Sequence, residues 1–161
     1  MEKRYRKGEI RLVTPEQKYL DEIIENLREE DRREAWNAWR LSPTEVVEMS
    51  AKSAGEAWVI LHNEKPVGIF GVSPKSFLTD TGIIWFLGTT EIEKIWLTFG
   101  KETSAIVQRF LKKYQRLENW AAFENKKTLR WLKRNGFQIE APKPYGVYDE
   151  KFCYFWQTRG K

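Results

Sequence analysis

The chain has 161 residues, 41% hydrophobic and 32% charged, a balance that suits one globular domain over 1–161 with a sizeable core. One Cys and one His exclude an intramolecular disulfide framework and a Cys/His zinc site, and no apolar run reaches the roughly 18 residues a membrane span needs. Basic and acidic residues number 14 and 17 up to residue 100 but 14 and 6 after it, so the net charge of +5 comes from the later part alone. That basic part suits nucleic acid, a phosphorylated cofactor, an acidic protein, or simply a solvated face. MEKRYRKGEI is charged with no apolar segment behind it, so it does not read as a signal peptide and a cytosolic protein is expected. Eight Trp imply a tightly packed core or aromatic-lined surfaces.

IRLVTP (10–15) predicts a strand closed by Pro15. EQKYLDEIIENLREE then sets Tyr19, Leu20, Ile23, Ile24 and Leu27 on one helical face. DRREAWNAW predicts a second short helix, with Trp36 and Trp39 sharing a face. In SPTE (42–45), Ser42 can accept from first-turn amides, Pro43 sits at the first helical position and Glu45 completes a capping box. Val46, Val47 and Met49 supply that helix's apolar contacts. EAWVILH (56–62), VGIFGV (67–72) and GIIWFLG (82–88) are apolar β-branched runs, the first two joined by NEKP as a hairpin, and together they predict an antiparallel meander.

Thr90 with Glu93 has the capping-box pattern and predicts a short helix over 91–99. KETSAIVQRFLKKY (101–114) predicts a helix with Ile106, Val107, Phe110 and Leu111 inward. LENWAAF (117–123) reads as a strand. NKKTLRWLKRNGF (125–137) is a framed helix, with Leu129, Trp131 and Leu132 inward and Lys126, Lys127, Arg130, Lys133 and Arg134 outward. FQIE (137–140) and FCYFWQ (152–157) close the chain as strands around the turn-rich APKPYGVYDE. Trp58, Trp85, Trp156 and Cys153 lie in strands and are expected in the core. The order describes an α+β (mixed α/β) fold with a central, mostly antiparallel sheet flanked by helices.

The frame of the last helix, Asn125 at its start and Gly136-Phe137 at its end, resembles that of the GCN5-related N-acetyltransferase (GNAT) superfamily, whose strand order also matches. The resemblance implies a GNAT-like acyl-CoA N-acyltransferase fold and acetyl-CoA as cofactor. Its implied cofactor-binding residues are Leu87, Gly88 and Thr89 after the third meander strand, Gly100, Lys101, Thr103 and Ser104 at the next helix start, and Asn125 and Arg130. The superfamily's Gly-x-Gly pyrophosphate loop is missing from LGTTEIEKIWLTFGKETSA, where Glu91 and Glu93 bring negative charge. Amides, hydroxyls and Lys101 in TFGKETS could hold a phosphate; an ordinary capped helix accounts for the same residues. The superfamily's general-acid Tyr position, seven after the Asn, is Leu132 here. Tyr145 or Tyr148 could substitute, or simply pack. Glu56 and His62 are the nearest candidates for a general base, His62 being otherwise an exposed hairpin residue. No metal site is implied.

GIIWFLGTTEI, FLKKYQRLENWAAFENKKTLRWLKRNGF and FCYFWQ look like the internal virion protein A family of T7-like phages, from about residue 56 to the C-terminus. That likeness implies a phage-encoded protein acting in virion assembly without efficient catalysis, with phage or host proteins as partners, in the host cytoplasm or the assembling virion. An active acetyl-CoA-dependent N-acetyltransferase is the alternative, and a basic nucleic-acid-binding module the second. No RNP-like or OB-like pattern supports the latter, and no membrane partner is implied.

Overall fold

The computed structural model describes residues 3–5 and 9–160. Strands β1 (Lys3–Tyr5) and β2 (Ile10–Val13) precede helices α1 (Gln17–Glu25), α2 (Glu29–Trp39) and α3 (Pro43–Ser53). The meander β3 (Glu56–His62), β4 (Lys65–Pro74) and β5 (Thr81–Gly88) follows. A 3-10 turn (Ile92–Lys94) leads to α4 (Trp96–Gly100), α5 (Thr103–Lys113), β6 (Arg116–Ala122) and α6 (Lys126–Arg134). The chain ends with β7 (Gln138–Ile139), β8 (Lys143–Tyr145) and β9 (Glu150–Thr158).

The nine strands among the described residues form one sheet, ordered β1-β2-β3-β4-β5-β6-β9, with β7 and β8 both pairing β9. Every pairing is antiparallel except β5 with β6. The strand period of two sends alternate residues to opposite faces. Leu20, Ile23, Ala35, Val46 and Val47 from α1–α3 pack on Val59, Leu61, Ile69 and Leu87. On the other face Phe99, Val107, Phe110 and Leu132 from α4–α6 pack on Ile60, Phe70, Leu117 and Phe155.

Local chemistry explains three joints. At α3 the Ser42 hydroxyl accepts from the Glu45 amide at 3.2 Å and the Glu45 carboxylate accepts from the Ser42 amide at 3.1 Å, the capping box expected there. The β3–β4 hairpin closes on Asn63 and Glu64, with φ of 50° and 66°, which tightens the expected four-residue turn to two because Lys65 and Pro66 already pair with His62 and Leu61. At the end of α6, Gly136 takes φ +90°, its amide donates to Lys133 and the Phe137 amide to Leu132 at 3.0 Å. This is a Schellman cap, and Phe137 drops into the core edge-on to Phe155.

Several expectations need correction. Thr90 and Glu93 form no capping box: the Thr90 amide donates to the Asn26 carbonyl, the 3-10 turn has no side-chain cap, and α4 begins only at Trp96. β8 lies inside the stretch read as turns, its edge position tolerating Pro144. Trp58, Trp85 and Trp156 are half-buried, as are Ile106 and His62, and Met49 is exposed. Cys153 is buried as expected, and burial pushes its thiol up.

Lys126, Lys127, Arg130, Lys133 and Arg134 are exposed on α6, while Leu132 is buried and Leu129 half-buried. Leu132→Ala should therefore lower stability by about 2–5 kcal/mol, the range for emptying a well-packed Leu site. A denaturant midpoint equal to that of the unsubstituted protein would place Leu132 outside the core.

Candidate active site

β5 and β6 are paired only at Thr81–Ile83 and Arg116–Glu118 and then part. Between β4 and β5 the Thr89 amide donates to the Val67 carbonyl, so in the antiparallel alternation Ile84, Phe86 and Gly88 turn their main-chain groups towards the gap. Asn119 Nδ2 takes the Ile84 carbonyl at 2.7 Å. Asp31 takes the Gly88 amide at 2.7 Å, and the Arg28 amide donates to the Gly88 carbonyl. The Phe86 amide and carbonyl face the gap between these two closures.

α2 spans the parted ends. Asp31 and Glu34 lie three apart on one helical face. Asp31 holds the last residue of β5, and Glu34 accepts from the amide of Ala122, the last residue of β6. Arg28 anchors Asp31 through Nε at 2.7 Å and Nη2 at 3.4 Å. The same helix is clasped from outside by the β8–β9 loop. There Gly146 takes φ +79°, a Cβ on it would lie 2.6 Å from Ala38 Cα, and the Val147 amide donates to the Ala38 carbonyl. Only glycine serves at that close approach.

A cavity of about 350 Å³ runs through the gap, lined by residues from both faces of the sheet. Trp96, Phe99 and Trp131 line it on the α4–α6 side; Trp39, Trp85 and Glu34 line it on the α2–α3 side, with Trp120 of β6. Five of the eight Trp thus surround one space, so the tryptophans serve a lined surface more than the core. The titratable residues among the described lining are Arg28, Asp31 and Glu34. Burial pushes the Glu34 carboxyl up to about 7. The Ala122 amide pulls it down, the Asp31 charge pushes it further up, and Arg28 opposes that charge.

The residues expected to bind a cofactor divide. Leu87 lines the cavity from the core. Gly88 is engaged by Asp31 and Arg28, and the buried Thr89 hydroxyl donates to Val67 and accepts from the Glu91 amide. The Thr103 hydroxyl donates to the Gly100 carbonyl at 2.6 Å and accepts from Trp131 Nε1 at 3.1 Å. Glu102 is already helical and its amide donates to Phe99, so α5 starts against the preceding helical turn and not from an open loop. Lys101, Ser104 and Arg130 are exposed. Asn125 caps α6 by accepting from the Thr128 amide at 3.4 Å, and its Nδ2 is buried without a hydrogen-bond partner among the described residues.

The catalytic candidates lie elsewhere. Burial alone would raise the Glu56 carboxyl, but hydrogen bonds from Trp58 and Arg109, with the charges of Arg109 and Lys113, hold it below the usual range. An acid so well paired is a poor base. Tyr145 stacks on Trp120 with centroids 4.2 Å apart, and burial pushes its phenol up. Tyr148 is exposed against Trp36, and His62 ends β3 outside the cavity lining. Sequence reasoning missed Arg28, Asp31 and Glu34. The available signal was their three-residue spacing beside Ala35 and Ala38, a stripe of small residues and charges along the helix that carries Trp36 and Trp39.

Among the described residues no helix is long and apolar enough to cross a membrane, and no group of three His, Cys, Asp or Glu could hold a metal ion. No model of a known protein family matches this sequence, and no curated protein matches it. Solved structures do. A GNAT-family acetyltransferase from Bacillus anthracis is 15% identical, with 100% of each chain covered and a TM-score of 0.72. Spermidine N-acetyltransferase from Vibrio cholerae, solved with CoA and spermine, is 16% identical over 94% of this chain and 96% of that one, with a TM-score of 0.66. The microcin C7 self-immunity acetyltransferase, solved with acetyl-CoA and AMP, is 16% identical over 94% and 93%, at 0.67. Such identities speak for the fold alone. With the sheet that parts between β5 and β6 and the framed helix α6, they establish that this chain has the GNAT acetyltransferase fold.

Proposed function

We propose that the protein is an acyl-CoA-dependent N-acyltransferase that grips its donor chiefly by the pantetheine arm. The observation carrying this reading is the cavity through the parted strands, with the Phe86 main chain at its edge and Glu34 in its wall. Support comes from the structures of like fold that hold CoA or acetyl-CoA. The residues present fit the arm. Phe86 offers one amide and one carbonyl, Trp96, Phe99 and Trp131 offer apolar walls, and Asn125 Nδ2, buried and unpartnered among the described residues though outside the cavity lining, is the donor that the superfamily resemblance implies for the arm. They do not fit the pyrophosphate, because Gly88, Thr89 and Thr103 already spend their polar groups within the protein. Lys101 and Arg130 remain as exposed cations for phosphates.

When bound, the cofactor supplies an acyl thioester. Glu34 supplies the base. An amine acceptor arrives as an ammonium, and a carboxylate titrating near 7 takes its proton at neutral pH, freeing the nitrogen lone pair. The apolar walls exclude water from that step. Leu132 lines the cavity, and no Tyr, Lys, His or Cys does among the described residues, so the leaving thiolate has no side-chain acid of those kinds beside it.

The test compares acetyl-CoA with S-acetylpantetheine by calorimetry. The two should bind within about tenfold of each other, since charge-assisted phosphate bonds worth about 1.5–3 kcal/mol each are few here. Asn125→Ala should weaken both and cost about 1 kcal/mol of stability through the lost cap. A low-micromolar acetyl-CoA constant that falls over a hundredfold for the truncated donor would overturn the arm-led reading.

The missing phosphate cradle favours a second reading, in which the fold is retained without efficient catalysis. The likeness to the internal virion protein A family then makes this a phage-encoded protein of virion assembly, with phage or host proteins as partners in the host cytoplasm or the assembling particle. Absence of saturable binding by either donor would bring this reading forward.

A further inference from the structure

We propose that the acceptor is a small monoamine on a flat apolar body, the arylalkylamine class, and that amino acids and polyamines are excluded by the walls of the same cavity. This inference rests on the acyltransferase reading above and concerns only the α2–α3 end of the cavity.

The first ground is the chemistry of the walls. Trp39, Trp85 and Trp120 line the cavity at the end where Glu34 stands. The Trp85 indole N–H donates to Ser73 Oγ at 3.2 Å. Its polar edge is thus used within the protein, and the three rings offer an acceptor a broad carbon surface. Tyr145 stacks on Trp120 and braces it, and Gly146 pins the loop behind Tyr145 against α2. Rings held in this way suit a flat partner and a nearby cation.

The second ground is the charge. Arg28 is the single cation among the described lining residues, and Asp31 takes it through two hydrogen bonds. Among the described residues Glu34 has no cationic hydrogen-bond partner and accepts from the Ala122 amide. The end of the cavity therefore complements one positive charge. A carboxylate on the acceptor finds no free cation in the lining and would be desolvated unpaired. Lys143 lies 5.3 Å over the Trp120 ring but is not in the lining. In the described lining the second ammonium of a polyamine finds no carboxylate besides Asp31, which Arg28 holds; Glu124, whose charge reaches Glu34, is paired with Arg33 at 3.3 Å. Glu118, on the same face of β6 as Trp120, is taken by Lys75 at 2.8 Å, Arg116 at 3.2 Å and Tyr154 at 2.7 Å.

The third ground is size. About 350 Å³ has to admit the reacting end of the donor as well, which is near the lower bound of small-molecule pockets.

The test needs no donor. Tryptamine, tryptophan, tryptophol and spermidine are titrated against the protein by calorimetry, with quenching of Trp fluorescence as a second signal. Tryptamine should bind most tightly. Tryptophan, with the added carboxylate, and tryptophol, without the ammonium, should each bind about tenfold or more weakly, the loss of one charge-assisted contact; spermidine should also be weaker. Glu34→Gln should erase the difference between tryptamine and tryptophol while keeping tryptophol affinity. Trp39→Ala, at a residue 48% exposed, should weaken tryptamine binding without altering the melt. Tryptophan or spermidine matching tryptamine, tryptophol matching it in the unsubstituted protein, or no binding by any of the four would overturn the proposal. Tryptamine binding without acetylation when donor is added would instead sink the acyltransferase reading and leave the amine site standing. Acetylation of other amines but not of tryptamine would do the reverse.

Discussion

Replacing Glu34 by Gln should lower kcat/KM for amine acetylation by about 10²–10⁴-fold, the usual contribution of a positioned base. The fall in rate below about pH 7 should disappear with it, because that limb reports the Glu34 carboxyl. Gln can still accept from the Ala122 amide, so the hold on β6 survives and the loss is chemical. The same substitution has a signature in stability. The folded carboxyl titrates near 7 and the unfolded one near its ordinary 4.5. Between those values the folded chain keeps a proton that the unfolded chain has released, so stability falls as pH rises through this window. The full effect is about 3 kcal/mol at 1.36 kcal/mol per unit. Asp31 and Glu124 add to it through their charges and Arg28 opposes them. The melting temperature of Glu34→Gln relative to the unsubstituted protein should therefore rise between pH 5 and pH 8. Parallel melting curves across that range would mean that Glu34 titrates as an ordinary surface acid.

Asp31→Ala should unfold the protein far more readily, by about 3–5 kcal/mol, the cost of breaking a buried ion pair from one side. Arg28 is 9% exposed and Asp31 3%, so the guanidinium would lose its partner with little water to replace it, and the Gly88 amide would lose its acceptor. For a chain of this size each 1 kcal/mol moves Tm by about 2–4 °C, so a drop near 10 °C is expected. Combining Asp31→Leu with Arg28→Met removes both charges and should recover much of that loss, though the Gly88 amide stays unpaired. A single Asp31→Ala variant within about 1 kcal/mol of the unsubstituted protein would show that the pair is not the clamp on β5.

The elements legible in the chain are those closed by their near neighbours. The Ser42–Glu45 capping box needs four residues, the Asn63-Glu64 turn needs two, and the Asn125 and Gly136 caps of α6 need only the helix between them. The hydrogen bonds that decide them span a few positions, so periodicity and capping chemistry suffice. Even the meander was readable, since strands covered on both faces leave continuous apolar β-branched runs bounded by turn residues.

The candidate site was not legible. Glu34 and Ala122 are 88 residues apart, and a carboxylate titrating near 7 exists only where α2 crosses the end of β6 and removes water. Thr103 carries the hydroxyl and helix position expected of a phosphate ligand, yet Trp131, from a helix 28 residues on, occupies it. β8 has no local pattern because β9 supplies its hydrogen bonds. Trp58, Trp85 and Trp156 read as core and are half-buried, and Trp85 among them lines the cavity, because a ring is apolar wherever it sits and only the packed sheet decides what it faces. Burial, dielectric and charge neighbours are properties of the packed chain, and they set which side chains are free to act.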